Sequence, residues 1–193
     1  KIDASAFEWI KKNIPDISNK TVMITGGASG IGKAIAIILA SFKANIIIAS
    51  RDSKKGEAVC KMLNKNTNNN YHSFIPLDLA EISSCRSAAN NIFKKYDCID
   101  IMFANAGIVG DANSCNKYGF NKTFFVNHTG HFVFISLLLP LLLKSSCATV
   151  VMHSSIRHFY PTNPLDFSIY FKKDVGTQSN AYADSKLANL LFS

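Results

Sequence analysis

Tyr182 and Lys186 stand four residues apart in a stretch, Ala181 to Phe192, whose apolar residues recur at helical spacing. Four residues are about one helical turn, so the phenol and the ammonium share a face. A phenol, with a reference pKa of about 10, is a poor base at neutral pH, but a neighbouring ammonium and an oxidised nicotinamide stabilise the phenolate. Such a pair can exchange a proton with a substrate oxygen while a hydride moves to or from a nicotinamide. A Tyr and a Lys at this spacing more often decorate a solvated face, so the pair gains meaning only from what precedes it.

What precedes it is a phosphate-binding signal. Thr25-Gly-Gly-Ala-Ser-Gly-Ile-Gly32 joins a β-prone run, Thr21 to Thr25, to an apolar helical stretch, Ile31 to Phe42. A helix N-terminus at that junction offers free N–H groups and a positive dipole end to a pyrophosphate. Gly26, Gly30 and Gly32 permit the tight turn and a close backbone approach, with Ser29 and Ile31 between them.

Cofactor choice is read after the second strand, at Ala49-Ser-Arg-Asp52. An acid there bonds a ribose 2′-hydroxyl, whereas Arg51 can pair with a 2′-phosphate. Asp52 stands about 20 residues past the last glycine, within the spacing of an NAD-type acid. It also precedes a helix and suits an N-cap. The reading favours NADP over NAD.

The elements that must position these groups alternate. Strands are expected at Thr21–Thr25, Asn45–Ala49, Tyr71–Leu77, Ile99–Ala104 and Ala148–His153. Helices are expected at Ile31–Phe42, Ser53–Asn64, Glu81–Tyr96, Tyr118–Leu143 (one or two) and Ala181–Phe192. Near-continuous apolar strands alternating with helices predict an α/β fold, a Rossmann-like doubly wound parallel sheet. Residues 1–20 read as an N-terminal extension and 21–193 as one dinucleotide-binding domain.

The spacing T-G-x-x-x-G-x-G resembles that of the short-chain dehydrogenase/reductase family, and further motifs follow in the family's order. They are Asp78-Leu79 after the third strand, Asn105-Ala-Gly107 after the fourth, Asn127-His-Thr-Gly-His-Phe132, Ser154-Ser155 after the fifth, and Tyr182-Ala-Asp-Ser-Lys186. The Asn127 segment and Leu165-Asp-Phe-Ser168 are similar to the retinol dehydrogenase branch and to the dehydrogenase domain of the WW-domain-containing oxidoreductase. The resemblance covers Phe7 to Ser193; with Trp9 the only tryptophan, the WW module's paired tryptophans are not in this sequence.

The resemblance implies that Asp78 and Leu79 meet the adenine and that Asn105, Ala106 and Gly107 lie beside the cofactor. It implies that Lys186 also bonds the nicotinamide ribose and that Asn127 supports a water relay. By the same pattern Ser155 steadies the substrate oxygen, with Ser154 as the alternative. It further implies a C-terminally truncated domain: Ser193 follows Tyr182 by eleven residues, where the family continues with a strand, a substrate-covering loop and a last strand.

Composition narrows the partners. The 193 residues are 48% hydrophobic and 18% charged, a folding composition rather than a disordered one. The net charge of +8 is scattered in short pairs such as Lys54–Lys55 and Lys94–Lys95, so no nucleic-acid partner is expected. Five cysteines, odd in number and without a C-x-x-C pair, suit a reducing compartment. The apolar run Phe132–Leu143 holds Pro140 and is shorter than the about 20 residues of a membrane span, so a buried helix is expected. His128 and His131 are three apart, but no further ligand stands at matching spacing and no metal is expected.

The expected activity is NADP-dependent interconversion of an alcohol and a carbonyl on a small apolar substrate, retinoid-, steroid- or lipid-like by resemblance. The expected location is cytoplasmic, with peripheral membrane association and homo-oligomerisation open. The competing reading is a non-catalytic dinucleotide-binding pseudoenzyme or fragment that acts through binding or protein interaction.

Overall fold

Strands whose middles are apolar call for cover on both faces, and residues 22–24 and 46–49 have it, whereas Thr149–Met152 at the sheet edge is only partly covered. In the computed structural model, which describes residues 4–110, 114–162, 170 and 180–193, five strands lie parallel. They are β1 (Thr21–Thr25), β2 (Asn45–Ser50), β3 (Ser73–Pro76), β4 (Ile101–Ala104) and β5 (Thr149–Met152), in the order β3-β2-β1-β4-β5. Along β1, Val22 and Ile24 face α2 (Gly30–Ser41) and α3 (Ser53–Thr67), packing with Ala36, Val59 and Leu63. Met23 belongs to the opposite layer, with Ile92 of α4 (Ile82–Phe93) and Phe134 and Leu138 of α6 (Gly130–Leu142). This alternation with period two turns a uniformly apolar run into two cores.

The chain winds from β1 to β3 in one direction, then crosses to β4 and β5 on the other side. That reversal places a crevice beyond the carboxyl ends of β1 and β4, where ligands of such sheets bind. The expected Rossmann-like arrangement is present, with strand and helix ends within a few residues of the expected ones. The branch-marking segment Leu165–Ser168 lies outside the described residues.

Two features differ from the reading of the sequence. The first residues hold α1 (Ala4–Asn13), after which Ile17 enters the β1–β2 core. The helix expected from Tyr118 starts at Lys122 and is not uniform. A three-residue α5 (Lys122–Phe124) leads into a π-helical turn, Phe125–Thr129, before α6. Taken together, Lys122–Leu142 is 21 residues with a mean hydropathy of 1.5, long and apolar enough to cross a membrane by length and composition. Its inner face is core, with Phe134, Leu138 and Leu141 buried against the sheet and α4. Packing accounts for that face, while Phe132 and Leu139 on the same helix are exposed.

His72 ties three elements together. Its Nδ1 accepts from the Ile46 amide at 3.1 Å, so Nε2 carries the proton and donates to Thr67 Oγ1 at 3.0 Å. Burial lowers its pKa, and burial likewise lowers those of His128, His131 and His153. A histidine held neutral by the fold contributes stability in full above its unfolded pKa of about 6.5 and loses it as pH falls towards the folded value. The melting temperature should therefore fall between pH 7.5 and 5, and thermal scans of His72→Gln should show a smaller fall. An equal fall in both proteins would contradict this role for His72.

Candidate active site

Each wall of the crevice is set by a strand end. After β1, Gly26 takes φ +70° and Gly30 φ +53°, conformations that a side chain strains. A Cβ on Gly26 would come to 3.0 Å from Ala106 Cα, whereas one on Gly30 would meet nothing within 4 Å. Gly26 therefore admits the loop after β4, and Gly30 keeps the start of α2 open to the crevice. Gly32 serves packing: a Cβ there would lie 2.6 Å from Asn105 Nδ2 and from the Gly26 carbonyl. Ser29, the N-cap of α2, makes no side-chain capping bond, so the helix end is not closed from within.

Asn105 joins three strand ends. Its Nδ2 donates to the Thr25 carbonyl at 2.9 Å, and its Oδ1 accepts from His153 Nδ1 at 3.0 Å. The resulting cavity has a volume of about 830 Å³. Gly26, Ser29, Gly30 and Ile31 line it from the turn, Arg51 from the end of β2, Asp78 and Leu79 from β3, and Ala106 and Gly107 from β4. Asn105, Ser154, Tyr182 and Lys186 complete the same wall. Residues far apart in the chain are thus gathered into one cleft.

Asp52 has a structural task. Its Oδ1 accepts from the Lys55 amide at 2.9 Å, capping α3, and its Oδ2 lies 3.2 Å from Lys55 Nζ. That amide bond, with Lys55 behind it, holds the exposed carboxyl below its usual range. Of the two readings that the sequence left open for Asp52, capping is the one observed. Asp52 and Lys55 both line the cavity; Lys55, in the first turn of α3, was missed in the sequence although it lies only four residues past Arg51.

Tyr182 and Lys186 project from the first turns of α7 (Ala181–Phe192), whose N-cap Asn180 accepts from the Ala183 amide at 3.3 Å. Lys186 is almost fully buried, and its Nζ donates to the His153 carbonyl at 2.9 Å. The ammonium lies 5.6 Å from the centre of the Tyr182 ring. Burial pushes its pKa down, which costs the cation some of its preference for the proton. A Cβ on Gly107 would be 3.6 Å from Lys186 Nζ, so the glycine leaves room beside the ammonium.

The two serines divide their work. Ser154 Oγ donates to the Lys186 carbonyl at 2.7 Å and so braces α7. Ser155 Oγ accepts from the Arg157 amide at 3.3 Å at the start of a 3₁₀ turn, Ile156–Phe159, and is not among the residues lining the cavity.

Asn127 also stands behind the cavity, fully buried in the π-turn. Its Oδ1 accepts from the Ile108 amide at 2.8 Å, and its Nδ2 donates to the Ile108 carbonyl at 3.0 Å and to Ser185 Oγ at 3.1 Å. Such π-turns recur at functional sites because one extra residue re-aims the backbone. Among the described residues no three His, Cys, Asp or Glu side chains gather as a metal site; His128 instead meets Asn189 at 3.1 Å.

A family model described as short chain dehydrogenase matches residues 20–166. The chain belongs to the short-chain dehydrogenase family. Within it the similarity runs to the retinol dehydrogenase branch. Human retinol dehydrogenase 13 is 37% identical over 176 residues, covering 91% of this chain and 53% of that protein. Dehydrogenase/reductase SDR family member 13 of Bos taurus is 38% identical, covering 94% of this chain and 48% of that protein. The chain thus spans about half the length of the curated relatives it matches. Among solved structures, a short-chain dehydrogenase from Escherichia coli CFT073 complexed with NADPH superposes with a TM-score of 0.74 at 27% identity. That match covers 92% of this chain and 70% of the other.

Proposed function

We propose that the protein is an NADP-dependent oxidoreductase that interconverts an alcohol and a carbonyl on an apolar substrate, with Tyr182 as the proton-transferring group. The observation that carries this reading is that Tyr182 and Lys186 share one cavity with the glycine-rich turn and Arg51. The residues fit the dinucleotide: Gly30 leaves the start of α2 uncovered for a pyrophosphate, with Asp78 and Leu79 at the adenine end. Neighbouring structures that hold NADPH or NADP support the same cofactor.

The bound nicotinamide supplies or accepts the hydride. Tyr182 Oη exchanges the proton with the substrate oxygen, and the Lys186 ammonium, fixed by the His153 carbonyl, stabilises the phenolate. A role for Ser155 in steadying that oxygen is part of the proposal: its hydroxyl keeps a proton to donate while its Oγ accepts from Arg157, and it follows directly on Ser154, which lines the cavity. Asn127 holds the Ile108 backbone and α7 in register, and a water relay at this residue is part of the proposal. An apolar substrate suits Val109, Ile156 and Phe159, which are 77%, 73% and 69% exposed; Val109 lines the cavity and the other two follow Ser155. The names of the relatives favour a retinoid or a similar lipid. The five cysteines stand as thiols, which supports a reducing, cytoplasmic setting.

Arg51 and Lys55 supply the charge for a 2′-phosphate; Asp52 lines the same cavity, with Oδ1 accepting from the α3 cap amide and Oδ2 beside Lys55 Nζ. Arg51→Ala should weaken NADPH binding by about 10- to 100-fold, the worth of one charge-assisted hydrogen bond. NADH binding should change by less than about threefold, because NADH lacks the group that Arg51 meets. Fluorescence titration with both cofactors checks this, and equal losses for the two would remove Arg51 from the 2′-phosphate site. Tight NADPH binding with no turnover of any carbonyl would support the binding-only reading instead.

A further inference from the structure

His131 is fully buried one turn beyond Asn127, and the chemistry described above gives it no task. Its Nε2 lies 2.9 Å from Thr25 Oγ1, and its Nδ1 lies 3.0 Å from the Asn127 carbonyl. Thr25 Oγ1 is also 3.0 Å from the amides of Asn105 and Ala106, both of which can only donate. Those amides occupy both lone pairs of the hydroxyl, so its hydrogen must point elsewhere. The nearer acceptor is His131 Nε2 at 2.9 Å; the Phe103 carbonyl stands at 3.3 Å. The Asn127 carbonyl can only accept, so Nδ1 must carry the ring proton. A neutral ring protonated on Nδ1 satisfies every partner, whereas an imidazolium would aim an N–H at an oxygen with no lone pair left.

We infer that His131 is a positioning residue, kept neutral with its proton on Nδ1, which ties the phosphate-binding turn and the Asn105–Ala106 loop to the Asn127 carbonyl. The second donor to that carbonyl is Asn189 Nδ2 at 3.1 Å, which also donates to the His153 carbonyl at 3.2 Å. Lys186 Nζ ends on the same His153 oxygen, so the chain of bonds runs from the cofactor turn to the catalytic helix. Burial is the main reason that the pKa of His131 falls to about 4, and the Asn127 bond acts in the opposite direction. The neighbouring titratable groups are Lys186 on α7 and His128 in the π-turn, and both oppose the imidazolium.

The inference rests on the proposed function for what is positioned, and two measurements separate them. Nitrogen-15 NMR of the full chain reads the tautomer directly, with His131→Asn assigning the signal. The expected result is an Nδ1–H ring that does not titrate between pH 7.5 and 5.5; an Nε2–H ring, or titration near the reference value of about 6.5, would overturn the inference.

The second measurement compares NADPH dissociation constants and kcat. His131→Asn keeps a donor towards the Asn127 carbonyl and loses the acceptor for Thr25, so it should weaken NADPH about 3- to 10-fold with kcat held. His131→Phe loses both links and should also lower kcat about 10- to 100-fold. Folded variants with a lower melting temperature and unchanged constants would contradict the positioning role. If the variants do not fold, the tautomer of the native protein decides alone. Failure of the unmodified chain to bind NADPH would sink the proposed function and leave the NMR result standing.

Discussion

Tyr182→Phe should lower kcat for carbonyl reduction by about 10²- to 10⁴-fold, the usual worth of a positioned proton-transfer group. The substitution removes one oxygen and leaves the ring where it is, 5.6 Å from the Lys186 ammonium. NADPH should bind within about twofold of its original affinity, because the turn, Arg51 and Lys186 remain. Steady-state rates together with a cofactor titration distinguish loss of chemistry from loss of binding. Activity within about tenfold of the unmodified protein would mean that another group moves the proton.

Asn127→Leu should have the largest effect on the fold, lowering the melting temperature by about 6–12 °C. The side chain makes three bonds inside the protein, two to the Ile108 backbone and one to Ser185. A typical internal hydrogen bond contributes about 1 kcal/mol net, so three cost about 3 kcal/mol, and about 1 kcal/mol moves the midpoint of a chain this size by about 2–4 °C. Ser185→Ala removes only one of the three and should cost about a third as much. Thermal denaturation of the two variants tests the ranking, and the reverse order would show that Asn127 does not brace Ile108.

The parts of the site legible in the sequence are those that depend on local spacing. Tyr182 and Lys186 meet because four residues make one helical turn, and the glycine-rich turn works because its strand and helix are sequence neighbours. Arg51 sits at a strand end for the same reason, and Lys55 was equally legible in the first turn of the helix that follows.

What the sequence did not reveal depends on packing between distant segments. The sequence permits Asp52 either to cap a helix or to hold a ribose, and only the assembled structure shows the cap, through the Lys55 amide at 2.9 Å. Ser154 and Ser155 are adjacent and chemically identical, and they part only because the Lys186 carbonyl lies above Ser154. The π-turn at Phe125–Thr129 leaves no mark on hydrophobic period, because the helix after it, Gly130–Leu142, is apolar nearly all round and the shift of about 100° from one inserted residue has no polar face to displace. The link from His131 to Thr25 spans 106 residues and could be read only once β1, β4 and α6 were assembled.

The central claim is hydride transfer between a dinucleotide and a carbon–oxygen bond, and isotope transfer tests it most directly. The protein is incubated with NADPH carrying deuterium at both C4 positions and with an apolar aldehyde such as retinal, and the alcohol is examined by mass spectrometry. The account predicts one deuterium on the carbinol carbon, with the yield falling in Tyr182→Phe. Unlabelled alcohol, or none formed by a protein that binds NADPH, would contradict it.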